Sequence, residues 1–537
     1  MTIKEKKILN DKYLGGFLTA TIGDVLGWPQ EQNSKNISTN SKRQIEFQTW
    51  KKITGTRFHL HEEVIHAGEY SDDTQLMLAT ARSLLKKEKW YVNFAKVELP
   101  FWLLYERGGG GATKRACKSW ANGVPPWKSS KEKELISYFN AGGNGVVMRI
   151  LPHIFNSYKD KKKLMHDIFR NGIATHGHPR ALVSSLAYAQ ALLYLIEKEE
   201  TLRYAELIDY LLESHFEWSI IPELEKMEDW YRNAELVLGL PYQKIWDSTV
   251  EEFKEGLVTL RNNLKSGLLD DTEKTLTNLG CFDKKINGSG NVTVLIALYI
   301  FSKYATNPKT GLLELAYLKN ADTDTLASVA GGLFGTLHGT EWIPDEWLRV
   351  QDYDYIKHLV NISLMDLEID IRVTDSWKEA KRKKLLENLS NREIGSKFSF
   401  HVFQSLELVD KYQNRMRVNK FQVETYKLKT GVGQTIYVKS TKQKSLENNI
   451  EKINVRIDKE NIKFDTLVSL SKIIPNVELA KSIQLLRIIY EDKNSNIYDF
   501  KKKLSIYELS KIQLEEIYNL FNIKSEEKAD IFKLDKL

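Results

Sequence analysis

Residues 70–75 read Tyr-Ser-Asp-Asp-Thr-Gln, and residues 322–325 read Asp-Thr-Asp-Thr. Each places acids beside hydroxyls just ahead of an apolar helical pattern, "LMLATARSLL" after the first and "LASVAGGLFGTLHG" after the second. Ser and Asp are favoured helix caps, and a helix N-terminus favours negative charge, so one acid at each start is accounted for by capping. The surplus acids call for another explanation. If the clusters share a site, Asp72, Asp73, Asp322 and Asp324 meet there, and four ionised carboxylates cannot sit together without cations. A pair of divalent metals resolves that conflict. Ser71, Thr74, Thr323 and Thr325 add neutral oxygens of the kind a hard cation takes. Two unrelated N-caps remain the alternative for either cluster taken singly.

Four glycine-rich loops offer a second half to such a site. "ERGGGGAT" gives Gly108, Gly109, Gly110 and Gly111, whose backbone N–H groups can cradle a diphosphate. "GFLTATIGDVLGWPQE" carries Asp24 and, past Pro29, Glu31. "AGGNGVVMRILP" holds Asn144 and Gly145, and "ATHGHPRA" sets Thr175, His176 and His178 before an apolar helix. Glycine runs mark turns more often than ligands, so these loops gain weight only beside the acids.

The elements that must position these residues read as helices. "YLGGFLTATIGDVLG" predicts an apolar helix that breaks at Gly23-Asp24, while "ALVSSLAYAQALLYLIEKE" and "NVTVLIALYIFSKYA" predict helices buried on most sides. Residues 326–337 repeat apolar and small side chains at helical spacing. No persuasive series of alternating strands occurs before about residue 348, so this part is expected to be an all-α, compact helical domain. Residues 349–440 form an accessory region, with "KFQVETYKLKTGVGQTIYVKSTK" predicting a β-hairpin about Gly431-Val432-Gly433. Residues 441–537 read as a Lys-rich helical region, which makes the C-terminal part as a whole a smaller α+β region.

With 537 residues the chain exceeds one ordinary core. A net charge of +7 is small for this length and does not by itself indicate nucleic-acid binding. Cys117 and Cys281 are the only cysteines, which excludes a disulfide framework and suits a cytoplasmic setting. The N-terminus lacks the apolar core of a signal peptide, and no apolar run reaches membrane-spanning length, so no membrane is expected as a partner.

Taken together, "GDVLGWPQE", "SDDTQ", "GNGVVMRILP", the Thr-His pair, "NGSGNVTVLIALYIF" and "NADTDTLASVAGGLFG" resemble the ADP-ribosylglycohydrolases, in that family's order, over roughly residues 10 to 348. The resemblance implies an all-α fold with two Mg²⁺ ions in a central cleft. It also implies cleavage of the bond linking ADP-ribose to an acceptor: a protein side chain, a nucleic acid or a small molecule. By motif it makes Ser71, Asp72, Asp73, Asp322, Asp324 and Thr325 the metal ligands. It sets Glu31 near the scissile bond, Gly108 to Gly111 along the diphosphate, Asn144 and Gly145 beside a ribose, and His176 in the family's Thr-His pair. Glu31, Asp73 and Asp324 are the catalytic candidates, an aspartate on metal or Glu31 supplying the proton for the leaving acceptor. Ser71 departs from the family's threonine but keeps the hydroxyl.

Some segments stand outside these motifs. Residues 202–285, rich in Trp, are longer than the family pattern needs. They are expected to form a solvated helical hairpin, with a lid as the alternative. Trp28 is expected to pack. Lys420, Lys427, Lys429 and Lys439 interleave with Phe421, Tyr426 and Tyr437, which reads as a solvated lysine face, or else as a surface for nucleic acid or a protein partner. The alternative to a hydrolase is a catalytically silent ADP-ribose-binding protein on the same fold, or a subunit of a defence or signalling assembly. Retention of all four aspartates argues against silence.

Overall fold

A computed structural model describes residues 3–33, 45–55, 60–267, 271–364, 379–400, 402–416 and 421–443. Residues 1–442 form one compact unit and residues 443–537 a second. The Lys-rich region expected after residue 441 lies almost wholly outside the described residues.

The first unit is built on two buried helices in backbone contact. The N-terminal helix runs without a break from Ile3 to Asn33, through Gly23-Asp24 and Pro29. The expected break at Gly23 is therefore absent, and the reason lies in the partner helix, Thr323–His338. A Cβ on Gly15 would stand 2.6 Å from the Gly335 carbonyl oxygen, one on Gly23 2.2 Å from that of Ala327, and one on Gly27 2.3 Å from that of Thr323. These glycines serve close approach, which no larger residue allows, so the helix loses no continuity there. Thr19 bridges the seam by donating its hydroxyl to the Gly331 carbonyl at 2.5 Å. The antiparallel pairing brings the C-terminal end of one helix beside the acidic start of the other.

Helices Pro179–Glu197 and Gly290–Lys303 are buried along nearly their whole length, as their apolar sequences predict. The 202–285 segment departs from expectation: Trp218, Trp230 and Trp246 are fully buried and belong to the main core. Trp230 stands edge-on to Phe139 and Tyr242, and its indole N–H donates to Tyr138 Oη at 2.9 Å. Large aromatic rings that bury this much apolar surface are held by the core rather than left on a solvated hairpin.

Two short strands, Trp50–Thr54 and His61–Ile65, interrupt the helical region and pair antiparallel. They are too short and too charged to show in the hydrophobic pattern. The predicted hairpin is present as strands Phe421–Thr430 and Thr435–Gln443, within a four-stranded sheet completed by Lys397–Phe400 and Gln404–Gln413. Its inner face shares a core with the helical body, with Phe403 edge-on to Phe101 at 5.0 Å. Tyr426 and Tyr437 are buried, and Lys429 and Lys439 pair with Asp352 and Glu63. Arg415–Met416 adds a third strand beside His61–Ile65.

Candidate active site

The helix Asp72–Leu84 starts at Ser71, whose hydroxyl accepts from the Asp73 N–H. Ser71 thus does the capping, and neither Asp72 nor Asp73 is needed for it. Asp322 occupies the N-cap of the second acidic helix without a side-chain cap bond. Both starts are held against the N-terminal helix. Asp24, fully buried, accepts from the N–H groups of Ser71 and Thr74 and from the Thr74 hydroxyl, the last at 2.7 Å. Thr323 donates its hydroxyl to the Gly27 carbonyl at 2.8 Å. The sequence marked Asp24 only as a turn residue. It is the clamp that sets where Asp72 and Asp73 stand.

The acids influence one another strongly. Burial, and then the charge of Asp324, push the carboxyls of both Asp72 and Asp73 well above the usual carboxylate range. Burial also raises Asp324, with the charge of Asp322 next. Among the described residues, Asp73 Oδ2 is buried with no partner. Asn144 fixes Asp322 by donating to its Oδ2 at 2.8 Å, and the Thr325 N–H donates to Asp324 Oδ1 at 2.9 Å. Glu31 is exposed near the end of the N-terminal helix, and its charge raises both Asp322 and Lys52.

Among the described residues, no three His, Cys, Asp or Glu side chains converge closely enough to hold a metal ion. The chemistry of the donor set still fits a hard cation. It consists of clustered carboxylates, one with a buried unpartnered oxygen, and the hydroxyls of Ser71 and Thr325. Cation charge would relieve the repulsion among these carboxylates.

The glycine loop lies against the same acids. Gly108 has φ +115°, and a Cβ there would meet Asp72 Oδ1 at 2.9 Å, so only glycine fits. The N–H groups of Gly108 and Gly109 donate to Glu106 Oε2. Gly110 and Gly111 begin the helix Gly111–Ala121 and are exposed. A cavity of about 290 Å³, lined by Ala112, Arg115, Ser119, Lys131, Tyr138 and Thr175 among others, adjoins the start of this helix.

His176 is buried in a hydrogen-bond network. Arg149 donates to Thr175 Oγ1 at 2.8 Å, and Thr175 Oγ1 is hydrogen-bonded to His176 Nδ1 at 2.7 Å. The other ring nitrogen, Nε2, faces Gly143 and Gly145. Burial pulls the imidazole down to about 3, so it is neutral at pH 7. A Cβ on Gly145 would stand 3.0 Å from the ring. Thr175→Val removes the hydroxyl that holds His176 Nδ1. It should lower turnover about tenfold while changing KM and stability little, checked by steady-state kinetics and a melting curve.

The C-terminal sheet reaches the site. Gln434 Nε2 donates to Tyr70 Oη at 3.3 Å, and Tyr70 donates to Asp352 at 2.8 Å, immediately before Ser71. Arg107 lies 4.1 Å above the Tyr437 ring and pairs with Glu63 and Glu69. Burial pushes Glu63 up, but Arg107 and Lys439 outweigh it and hold the carboxyl at about 2. Trp28 packs as expected, edge-on to Trp50 at 5.3 Å.

A family model described as ADP-ribosylglycohydrolase matches residues 5–373. A solved structure described as an ADP-ribosylglycohydrolase-related protein complex is 20% identical, covering 68% of this chain and 100% of its own, with a TM-score of 0.42. No curated protein matches the chain. No helix among the described residues is long and apolar enough to cross a membrane.

Proposed function

The chain belongs to the ADP-ribosylglycohydrolase family, a family of glycohydrolases, and from that premise we propose that it hydrolyses the glycosidic bond between ADP-ribose and an acceptor, with Mg²⁺ as cofactor. The observation that carries this reading is that one helix, through Asp24 and the Gly27 carbonyl, holds two acidic helix starts, Asp72-Asp73 and Asp322-Asp324, and that the glycine loop lies against Asp72.

Asp72, Asp73, Asp322 and Asp324, with Ser71 and Thr325, are the residues that would hold the metal. When bound, it would supply Lewis-acid charge to fix ribose hydroxyls and favour the oxocarbenium-like transition state of glycoside cleavage. The rest falls to the chain. Asn144 orients Asp322, Asp24 orients the Asp72-Asp73 pair, and His176 Nε2 would meet the substrate with a hydrogen bond. Gly110 and Gly111 are exposed and would lie along the diphosphate. Glu31 is the carboxyl that solvent reaches, and it is assigned the proton given to the leaving acceptor.

Two measurements test this. Mass spectrometry of arginine-, serine- and nucleic-acid-linked substrates, with Mg²⁺ and with EDTA, should show metal-dependent release of free ADP-ribose from one of them. Retention of ADP-ribose without release from any would make the protein a binder. Glu31→Gln should lose about 100-fold or more in kcat, in the range general acid catalysis contributes, while Mg²⁺ still raises its melting temperature. Unchanged kcat would remove Glu31 from the mechanism.

A further inference from the structure

Lys52 is a lysine in an acidic cleft. It sits on the strand Trp50–Thr54, is 9% exposed, and forms no hydrogen bond or ion pair among the described residues. Its ammonium lies 4.6 Å above the Trp28 ring. It also lies 3.3 Å from the point where a Gly108 Cβ would be, the same point that Asp72 Oδ1 approaches to 2.9 Å. Burial pulls its ammonium below the usual lysine range, the negative charges of Glu63, Asp72 and Glu31 oppose that, and the positive charge of Lys439 adds to it. A buried ammonium normally takes a partner, because desolvation without one is costly. Lys439, on the C-terminal sheet, is paired with Glu63. Lys52 is held by the indole face instead, beside Asp72 yet not bonded to it.

We propose that Lys52 is a resident counter-ion of the carboxylate cleft, and that its ammonium weakens the hold of the Asp72 side on a divalent cation. The inference rests on the reading of the cleft as a divalent-metal site. Without metal, the lysine offsets part of the Asp72 charge. With metal bound, two like charges face each other across a poorly solvated gap, and the cation closest to Asp72 is held more weakly. No lysine is among the largest influences on Asp322 and Asp324, whereas Lys52 is among those on Asp72. On this proposal the Asp72 side takes metal more weakly than the Asp322-Asp324 side.

The test uses Mn²⁺ and Mg²⁺ alone, with no substrate, and the full chain. Binding is read by calorimetry and by the metal-induced shift of the melting temperature for wild type, Lys52→Met, Lys52→Gln and Lys52→Arg. Lys52→Met and Lys52→Gln should bind Mn²⁺ roughly tenfold tighter or more, while melting lower than wild type in EDTA. Lys52→Arg, which keeps the charge, should stay near the wild-type affinity. A purely structural lysine would lower the melting temperature in every variant and leave metal affinity unmoved, and that result would overturn the proposal. Equal or weaker metal binding by the neutral variants overturns it too. A wild-type protein that binds neither metal would instead defeat the metal-site reading itself.

Discussion

Asp324→Asn is expected to abolish measurable ADP-ribose release, by at least about 100-fold, and at the same time to make the metal-free protein more stable. The two effects have one cause. After burial, the charge of Asp324 is the largest influence raising both Asp72 and Asp73. Without cations it is a buried like charge beside Asp322. The amide keeps the side chain's shape and still accepts from the Thr325 N–H. It removes one unit of repulsion, worth about 1 kcal/mol or more in such a site. With Mg²⁺ present the sign reverses. Wild type gains binding free energy, about 2.7 kcal/mol at a hundredfold excess over Kd, and the variant gains little. Melting curves in EDTA and in millimolar Mg²⁺ should therefore cross: variant above wild type in the first, below it in the second. Full activity, or an unchanged response to Mg²⁺, would show that Asp324 holds no metal.

The acids were legible in the sequence because their chemistry is local: two carboxylates flanked by hydroxyls exceed what a cap needs, at Asp72-Asp73 and at Asp322-Asp324. The helices were legible because burial on all sides leaves an almost unbroken apolar run, as in Gly290–Lys303. What the sequence hid was tertiary. Gly23-Asp24 reads as a helix break because glycine weakens isolated helices. Only a partner backbone 2.2 Å from the missing Cβ reveals it as a contact surface. Asp24 looked like a turn residue for the same reason, since its partners Ser71 and Thr74 lie some fifty positions away. Lys52 sits in a five-residue charged strand with no apolar alternation to mark it. The sheet from 397 to 443 was legible as a hairpin, but nothing in its pattern says that Gln434 and Asp352 hold Tyr70 beside the acids.

Gly27→Ala tests the seam where fold and site meet. By helix propensity the change should help, since alanine in a helix interior is favoured over glycine by roughly 1 kcal/mol. By packing it should do harm. The new Cβ would stand 2.3 Å from the Thr323 carbonyl oxygen and 2.6 Å from the Asp324 nitrogen, and every atom it meets is backbone. No side chain can rotate away, so the two helices must separate at this end. Overpacking of a rigid core costs about 3 kcal/mol at the upper end of its usual range, and this contact belongs there. The same separation carries Thr323 away from the Gly27 carbonyl it bonds, and displaces Asp324 from Asp72 and Asp73. Gly27→Ala should thus melt several degrees lower and lose both Mg²⁺ stabilisation and activity. Gly110→Ala is the contrast. Its Cβ would meet nothing within 4 Å and its φ is −64°, so the cost is only that of alanine in place of glycine at an N-cap, about 1 kcal/mol or less. If Gly27→Ala instead gained stability as propensity predicts, the close approach of these two helices would be wrong, and with it the geometry that brings the acids together.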